Sequence, residues 1–222
     1  MPRPISALIH TDALAHNLKR ARSAAPQAKV WAVVKANAYG HGVSRAYAGL
    51  QGADGFALLD IAEAQILRDL GWRGPILLLE GCFDARDLEA CSRLDLWHTV
   101  HTEAQIDWLA AHKTNRPQHV FLKMNSGMNR LGFTPAAYRG AWHRLSGLTQ
   151  VERITLMTHF ANADGHPGIA SQLAVFDAAT AELPGERSLS NSAASLRFND
   201  EMVAADWTRP GILLYGSSPD FP

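Results

Sequence analysis

The stretch that decides the fold is VWAVVKANAYGHG, residues 30–42. Its first five residues are apolar and mostly β-branched or aromatic, which predicts a buried strand, and Lys35 stands where that strand ends. Burying an ammonium group is costly, so Lys35 is expected either to form an ion pair or to be kept partly neutral. A neutral lysine amine can attack a carbonyl group and form a Schiff base. The ordinary alternative is a strand-end lysine that reaches solvent.

Short apolar segments of this kind alternate with amphipathic helical stretches along the whole chain. Eight alternating units in 222 residues predict a closed, parallel (β/α)8 barrel of the TIM type, formed by one α/β domain over residues 1–222. In that fold, functional groups lie where the carboxyl ends of the strands meet. The candidate strands are residues 30–34, 55–59, 75–79, 96–100, 119–124, 153–158, 188–190 and 209–215.

Helix starts are marked between these segments. Two pairs have the spacing of a capping box, and a third site places a cap residue before a first-turn proline. The predicted starts are Asp60 with Glu63, Thr102 with Gln105, and Thr134 followed by Pro135.

The opening segment does not fit the count of eight. Residues 4–10 read as an additional strand within an N-terminal segment, residues 1–11, that needs a partner outside the barrel. Thr11 or Asp12 is then expected to cap a helix that buries Leu14, Leu18 and Ala21.

The composition describes an ordinary globular chain. The 21 basic and 21 acidic side chains balance, so charge gives no sign of a nucleic-acid partner. The apolar runs are too short to span a bilayer and no secretory signal opens the chain, so we expect a cytoplasmic protein without membrane contact. Cys82 and Cys91 read as reduced thiols, and the histidines, including His98 and His101, show no metal-binding constellation.

Five segments together resemble the cofactor-binding motifs of alanine racemases, the pyridoxal-phosphate enzymes that interconvert L- and D-alanine. They are KANAYGHG (35–42), LKMNSGMNRLG (122–132), THF (158–160), SLSNSAASLR (188–197) and RPGILLYG (209–216). The resemblance implies pyridoxal 5'-phosphate as cofactor, held as an internal aldimine on Lys35, which also moves a proton on one face of the substrate Cα.

The resemblance also implies which residues hold the phosphate group. Tyr39, Asn191 and Ser192 belong to the expected cofactor site, together with the backbone amides of Gly211 and Ile212. Loops after strands seven and eight commonly bind phosphate in barrels. Taken by itself, Ser192 could equally cap the helix that follows it.

At the ring of the cofactor, the resemblance places Arg209 opposite the pyridine nitrogen and His159 against the ring. Guanidinium stays charged and so disfavours protonation of that nitrogen; the alternative is an ion-paired structural arginine. Arg130 is expected at the phenolic oxygen and the substrate. Lys123 is a position often carbamylated, although Asn125 stands where many relatives have aspartate, and Met128 is a backbone contact to the substrate carboxylate.

In alanine racemases the N-terminal strand joins a C-terminal β domain, and a tyrosine from that domain of a neighbouring subunit is the second base. This sequence shows neither a match to that β domain nor a match to the motif of that tyrosine, so we expect an incomplete site in the isolated chain. The resemblance also implies that the parent enzyme is a homodimer and that it supplies D-alanine for the cell wall. Alternatives are a related pyridoxal-phosphate decarboxylase, a broader amino-acid racemase, a non-catalytic cofactor-handling barrel, or a barrel without cofactor.

Overall fold

The computed structural model describes residues 4–114, 116–198 and 206–219. Eight parallel strands follow one another around a closed barrel, and the first pairs with the last through Lys29 opposite Trp207 and Val30 opposite Thr208. The predicted (β/α)8 fold is therefore confirmed. The strands are β1 (Lys29–Val33), β2 (Gly55–Leu58), β3 (Ile76–Leu78), β4 (Trp97–Val100), β5 (Gln118–Lys123), β6 (Val151–Met157), β7 (Arg187–Ser188) and β8 (Trp207–Thr208).

Helical segments surround the barrel. The predicted caps Asp60, Thr102 and Thr134 each accept a backbone N–H from the first turn of their helix. None of the described helices combines the length and apolar character needed to cross a bilayer. The segments are α1 (Thr11–Ala24), α2 (Lys35–Tyr39), α3 (Val43–Leu50), α4 (Ile61–Asp69), α5 (Asp87–Leu94), α6 (Glu103–Ala111), α7 (Pro135–Ser146), α8 (Ala170–Thr180), α9 (Ser192–Arg197) and a 3-10 helix (Ile212–Tyr215).

The interior of the barrel is closed by aromatic side chains. Trp31 is completely buried, stacks on Trp207 at 4.3 Å and meets Trp97 edge-on at 5.5 Å. A side chain at Gly55 would place its Cβ 2.2 Å from the Trp31 ring, so only glycine leaves room for the indole. The barrel is thus a packed core rather than a pore, and an open site can form only at an end.

Helix α1 covers the seam between the first and last strands. As predicted, it buries Leu14, Leu18 and Ala21, and it packs against β1, α3, α9 and the 3-10 helix. The side chain of Asn17 donates to the carbonyl of Leu214 at 3.1 Å. An N-terminal helix therefore occupies the outer layer beside β8.

The predicted eighth strand over residues 209–215 is wrong. Strand β8 ends at Thr208, and the 3-10 helix begins at Ile212. Proline has no N–H for a sheet ladder, so the chain leaves the sheet at Pro210. Arg209 consequently follows β8 instead of belonging to it, as expected for a residue at the carboxyl end of a barrel strand.

The predicted N-terminal strand is not formed within this chain. Residues 4–10 pair with no described residue, and Ile5 and Leu8 are each 78% exposed. A strand needs a free sheet edge, and the closed barrel offers none. The predicted pairing with a C-terminal β domain therefore stays a prediction. The predicted cap of α1 is wrong, because Thr11 already lies inside α1 and His10 precedes it without a side-chain bond. Residues 1–3 of the predicted segment lie outside the described residues.

Candidate active site

A cavity of about 300 Å³ lies where the carboxyl ends of the strands meet. Every residue predicted for the site lines it. Those residues are Lys35, Tyr39, Lys123, Met128, Arg130, His159, Asn191, Ser192, Arg209, Gly211 and Ile212. The placement of these residues is therefore established, whereas their individual roles remain predictions.

Lys35 lies directly before a left-handed backbone turn. The four residues that follow it, 36–39, all have φ between 52° and 55°, so they form a left-handed turn without a glycine. This conformation costs roughly 1–2 kcal/mol for each residue with a side chain. Glu63 of α4 stabilises it by accepting the Asn37 N–H at 2.6 Å, and the Asn37 side chain accepts the Val43 N–H at 3.0 Å.

The left-handed turn brings Lys35 to the wall of the cavity, where the amine is half-buried. Burial lowers the pKa of Lys35, the nearby Arg130 lowers it further, and Glu80 opposes both. A lowered pKa increases the fraction of neutral amine, which is the nucleophilic form. Of the two forms expected from the sequence, an ion-paired amine and a partly neutral one, the structure favours the second, since Lys35 forms no salt bridge with a described residue.

Tyr39 ends the same turn and meets the segment after β8. Its ring stacks on Tyr215 at 4.6 Å, and Tyr215 is anchored by donating to the Val33 carbonyl at 3.0 Å. A Cβ at Gly211 would lie 2.2 Å from the Tyr39 hydroxyl, so glycine allows the two to approach. Burial raises the pKa of Tyr39, which keeps the hydroxyl protonated and able to donate.

Ser192 is not the cap of its helix. Asn191 caps α9 by accepting the Ala194 N–H at 3.0 Å, and its amide nitrogen donates to the Phe160 carbonyl. Ser192 Oγ instead accepts the N–H groups of Gly211 at 2.9 Å and Leu213 at 3.3 Å. No described residue accepts its O–H, so the hydroxyl is left to donate into the cavity. The side chain of Asn191 is occupied by the fold, and its contact with a cofactor stays a prediction.

Arg209 is buried beneath the cavity without an acidic partner among the described residues. It donates to Ser188 Oγ at 2.6 Å and to the carbonyls of Thr158 at 2.6 Å and Leu189 at 3.2 Å. These acceptors are neutral, so the arrangement is not that of an ion-paired structural arginine. Burial lowers the pKa of Arg209 to about 9.

His159 lies beside Arg209. The guanidinium of Arg209 lies 3.4 Å from His159 Nδ1. Burial and the surrounding cations lower the pKa of His159 well below its usual value. His159 is therefore a neutral ring that can pack against a ligand without titrating.

Lys123 ends β5 and is almost fully buried. Burial, followed by Arg209 and Arg130, lowers the pKa of Lys123 to about 7. The side chain of Asn125 closes the loop beyond it. Its Oδ1 accepts the backbone N–H groups of Gly127 and Asn129, and its Nδ2 donates to Asn129 Oδ1 at 3.0 Å. An aspartate at position 125 would lack that amide donor.

Sequence reasoning missed two acidic residues that line the cavity, Glu80 and Asp164. Glu80 stands two residues beyond the end of β3, a position that the barrel rule marks as functional. None of the five motifs that resemble the family includes β3 or the loop after it. Elsewhere, Cys82 and Cys91 are buried free thiols with their Sγ atoms 3.6 Å apart. The described residues contain no group of three His, Cys, Asp or Glu that could hold a metal ion.

Comparison with known proteins agrees with this geometry. The family described as alanine racemase, N-terminal domain, matches residues 9–219. Alanine racemases of Methylibium petroleiphilum and of a Polaromonas species are 71% and 70% identical to this chain over its whole length. The chain spans 61% of the length of each of these relatives.

Solved structures of alanine racemases are also similar to this chain. The biosynthetic alanine racemase of Pseudomonas aeruginosa superposes with a TM-score of 0.88 at 42% identity, over 94% of this chain and 58% of that one. Alanine racemase from Acinetobacter baumannii gives 0.87 at 34% identity, over 95% and 59%. This chain therefore belongs to the alanine racemase family, of which it represents the N-terminal domain.

Proposed function

We propose that this chain is the cofactor-binding barrel of a pyridoxal-phosphate-dependent alanine racemase. The observation that carries the proposal is the charge of the cavity. Two lysines and two arginines line it, against two carboxylates among its described lining residues. Such a site favours a ligand with several negative charges. The cationic residues are Lys35, Lys123, Arg130 and Arg209.

The donors in the cavity fit pyridoxal phosphate. At one side, the Ser192 hydroxyl and the Tyr39 hydroxyl can donate beside Gly211, whose missing side chain leaves the approach open. These groups, with the amides of Gly211 and Ile212, would hold the phosphate. At the other side, Arg209 Nε–H has no acceptor among the described residues and would donate to the ring nitrogen, while Arg130 would meet the phenolic oxygen.

When bound, pyridoxal phosphate supplies an aldehyde for a lysine amine and a conjugated ring that withdraws electrons from the substrate Cα. Lys35 supplies the amine, and its lowered pKa increases the fraction of the neutral, proton-accepting form. The same group can therefore take a proton from one face of Cα and return it. Arg209 and the neutral His159 remain in one protonation state during this transfer.

Lys123 is proposed as a site of carbamylation. Carbon dioxide reacts with a neutral amine, and a lysine whose pKa is about 7 is largely neutral at pH 8. Carbamylation would replace the repulsion between Lys123 and Arg130 by an attractive pair. ¹³C NMR spectra of the protein in ¹³C-labelled bicarbonate should show the resonance of a carbamate carbon, and this resonance should be absent from Lys123→Met.

The cofactor assignment is tested by adding pyridoxal phosphate to the purified chain and following the visible absorbance band. Borohydride should abolish the band and leave a pyridoxyl mass label on the peptide that contains Lys35. Lys35→Ala should lose both signals, whereas Lys19→Ala on the exposed face of α1 should retain them. A label on another lysine, or no label, would contradict the proposal.

The proposed reaction requires proton transfer on both faces of Cα, and the family resemblance assigns the second base to a tyrosine of a partner subunit's C-terminal domain. We therefore expect this polypeptide, loaded with cofactor, to exchange the Cα proton of one alanine enantiomer in deuterium oxide. Racemisation should be much slower than this exchange. Equal rates for both processes would show that this chain contains both bases.

The substrate side chain and the assembly belong to the same proposal. A histidine racemase from Leuconostoc mesenteroides shares the barrel with a TM-score of 0.82 at 28% identity, which favours testing a wider range of amino acids. Exchange rates for alanine, serine, lysine and histidine would rank the substrates. A homodimeric parent enzyme in the cytoplasm that supplies D-alanine for the cell wall remains part of the proposal.

A further inference from the structure

The cavity contains an acidic group to which neither the motifs nor the proposed mechanism gives a role. Glu80 and Asp164 are the carboxylates among the described lining residues, and they face four cationic side chains. Glu80 reaches the cavity from the loop after β3, between the loop that carries Lys35 and the end of β5 that carries Lys123. The two lysines thus have an acidic neighbour on the barrel wall.

The backbone of Glu80 is fixed by two side chains from the next βα unit. Its carbonyl accepts from His101 Nε2 at 3.0 Å and from Gln105 Nε2 at 3.2 Å. Gln105 is buried and also donates to the Cys82 carbonyl at 2.9 Å. Gly81 adopts φ +73°, and a Cβ there would lie 1.9 Å from the Thr99 carbonyl oxygen. The fold therefore dictates where the side chain of Glu80 begins.

We propose that Glu80 is a positioning residue of this site whose carboxylate acts as the counter-charge of Lys35 and, while that lysine carries no carbamate, of Lys123. It forms no salt bridge with a described residue, so it acts through space rather than by occupying either amine. An amine that is not tied to a carboxylate stays available to react. This arrangement differs from a structural ion pair, which would withdraw the lysine from chemistry.

The charges around the cavity act in opposite directions on the pKa values of Lys35 and Lys123. Burial and Arg130 lower the pKa of Lys35, and burial with Arg209 and Arg130 lowers that of Lys123; Glu80 raises both. A group that both accepts and returns a proton works best when neither form is strongly favoured. Without Glu80 the amine of Lys35 would hold its proton less well. Among the described residues, other titratable groups around these lysines are Tyr39, His101, His159 and Asp164, and the Lys35 amine lies 6.0 Å from the centre of the Tyr39 ring.

The inference bears on the proposed function, but its test requires no cofactor. Trace acetylation with acetic anhydride modifies only neutral amines, so labelling against pH, read by peptide mass, gives a midpoint for each lysine. Glu80→Gln should move the midpoints of Lys35 and Lys123 to lower pH, by about half a pH unit or more. Lys19 on the surface of the same molecule serves as the internal reference.

Asp164→Asn is the matched control, because it removes one negative charge from the same cavity, whereas Glu80 is the carboxylate that raises the pKa of both lysines. Glu80→Asp should restore much of the wild-type midpoint, and Glu80→Ala should repeat the shift if the glutamine variant does not fold. Unchanged midpoints in Glu80→Gln and Glu80→Ala, or an equal shift in Asp164→Asn, would overturn the proposal. If the midpoints shift but the chain captures no pyridoxal phosphate, the role of Glu80 would be supported and the proposed cofactor would be contradicted.

Discussion

Replacing Lys123 by methionine should stabilise the folded chain below pH 7. The pKa of Lys123 in the fold is about 7, while a lysine in an unfolded chain has a pKa of roughly 10.4. Each pH unit of separation corresponds to about 1.4 kcal/mol. A protonated Lys123 therefore costs the folded state roughly 4–5 kcal/mol, and methionine fills a similar volume without a charge.

The sign of the pH dependence follows from proton binding. Between pH 7 and about 10 the unfolded chain holds a proton on Lys123 that the folded chain does not, so wild-type stability rises with pH in this window. Below pH 7 both states are protonated, and the contribution is constant. The advantage of Lys123→Met should therefore be largest at pH 6 and should decrease steadily towards pH 9.

The assay is urea unfolding of the cofactor-free proteins at pH 6, 7, 8 and 9, in buffers freed of carbon dioxide so that no carbamate forms. Lys19→Met on the exposed face of α1 is the matched control, and its effect should be small and independent of pH. A pH-independent difference between wild type and Lys123→Met would refute the reasoning. A destabilised Lys123→Met at pH 6 would do the same, because it would show that the buried ammonium is compensated.

Three other predictions concern packing and positioning. Gly211→Ala should displace the Tyr39 hydroxyl and weaken pyridoxal-phosphate binding by about tenfold or more, measured by absorbance titration, with Gly140→Ala in open space as control. Gly55→Ala should lower the free energy of unfolding by about 1–3 kcal/mol through its collision with Trp31, measured in urea. Glu63→Ala should slow capture of the cofactor by about tenfold whereas Glu63→Gln, which keeps an acceptor for the turn, should not; equal rates would refute the role of Glu63.

Much of the barrel could be predicted from the sequence because apolar strands and helix caps are local signals. The predicted first strand lies within one residue of its observed bounds, and the predicted caps Asp60, Thr102 and Thr134 are confirmed. The predicted eighth strand is wrong, because residues 212–215 form a 3-10 helix that buries Leu214 and leaves Ile212 exposed. An apolar run of four residues carries no period by which the two can be distinguished.

The site was predictable in composition but not in geometry. The motifs named the cationic residues, and the barrel rule explained why they meet. Neither could reveal the left-handed turn after Lys35, since nothing in ANAY requires positive φ and the bond that stabilises the turn comes from Glu63, 26 residues away. The role of Asn191 as helix cap likewise depends on the three-dimensional course of the chain, because Ser192 next to it is an equally good cap by type.

The charges of the cavity connect stability with ligand binding. Arg209 is buried against neutral acceptors, and Lys123 is buried near Arg209 and Arg130 with Glu80 opposing them, so the lowered pKa of each reflects a cost of holding the charge in the fold. An anionic ligand would reverse that loss, since the same low-polarity surroundings that penalise an unpaired cation strengthen its attraction to an anion. Ligand affinity and the instability of the empty cavity thus have a common origin. Substitutions that neutralise these cations should stabilise the chain and weaken anion binding together.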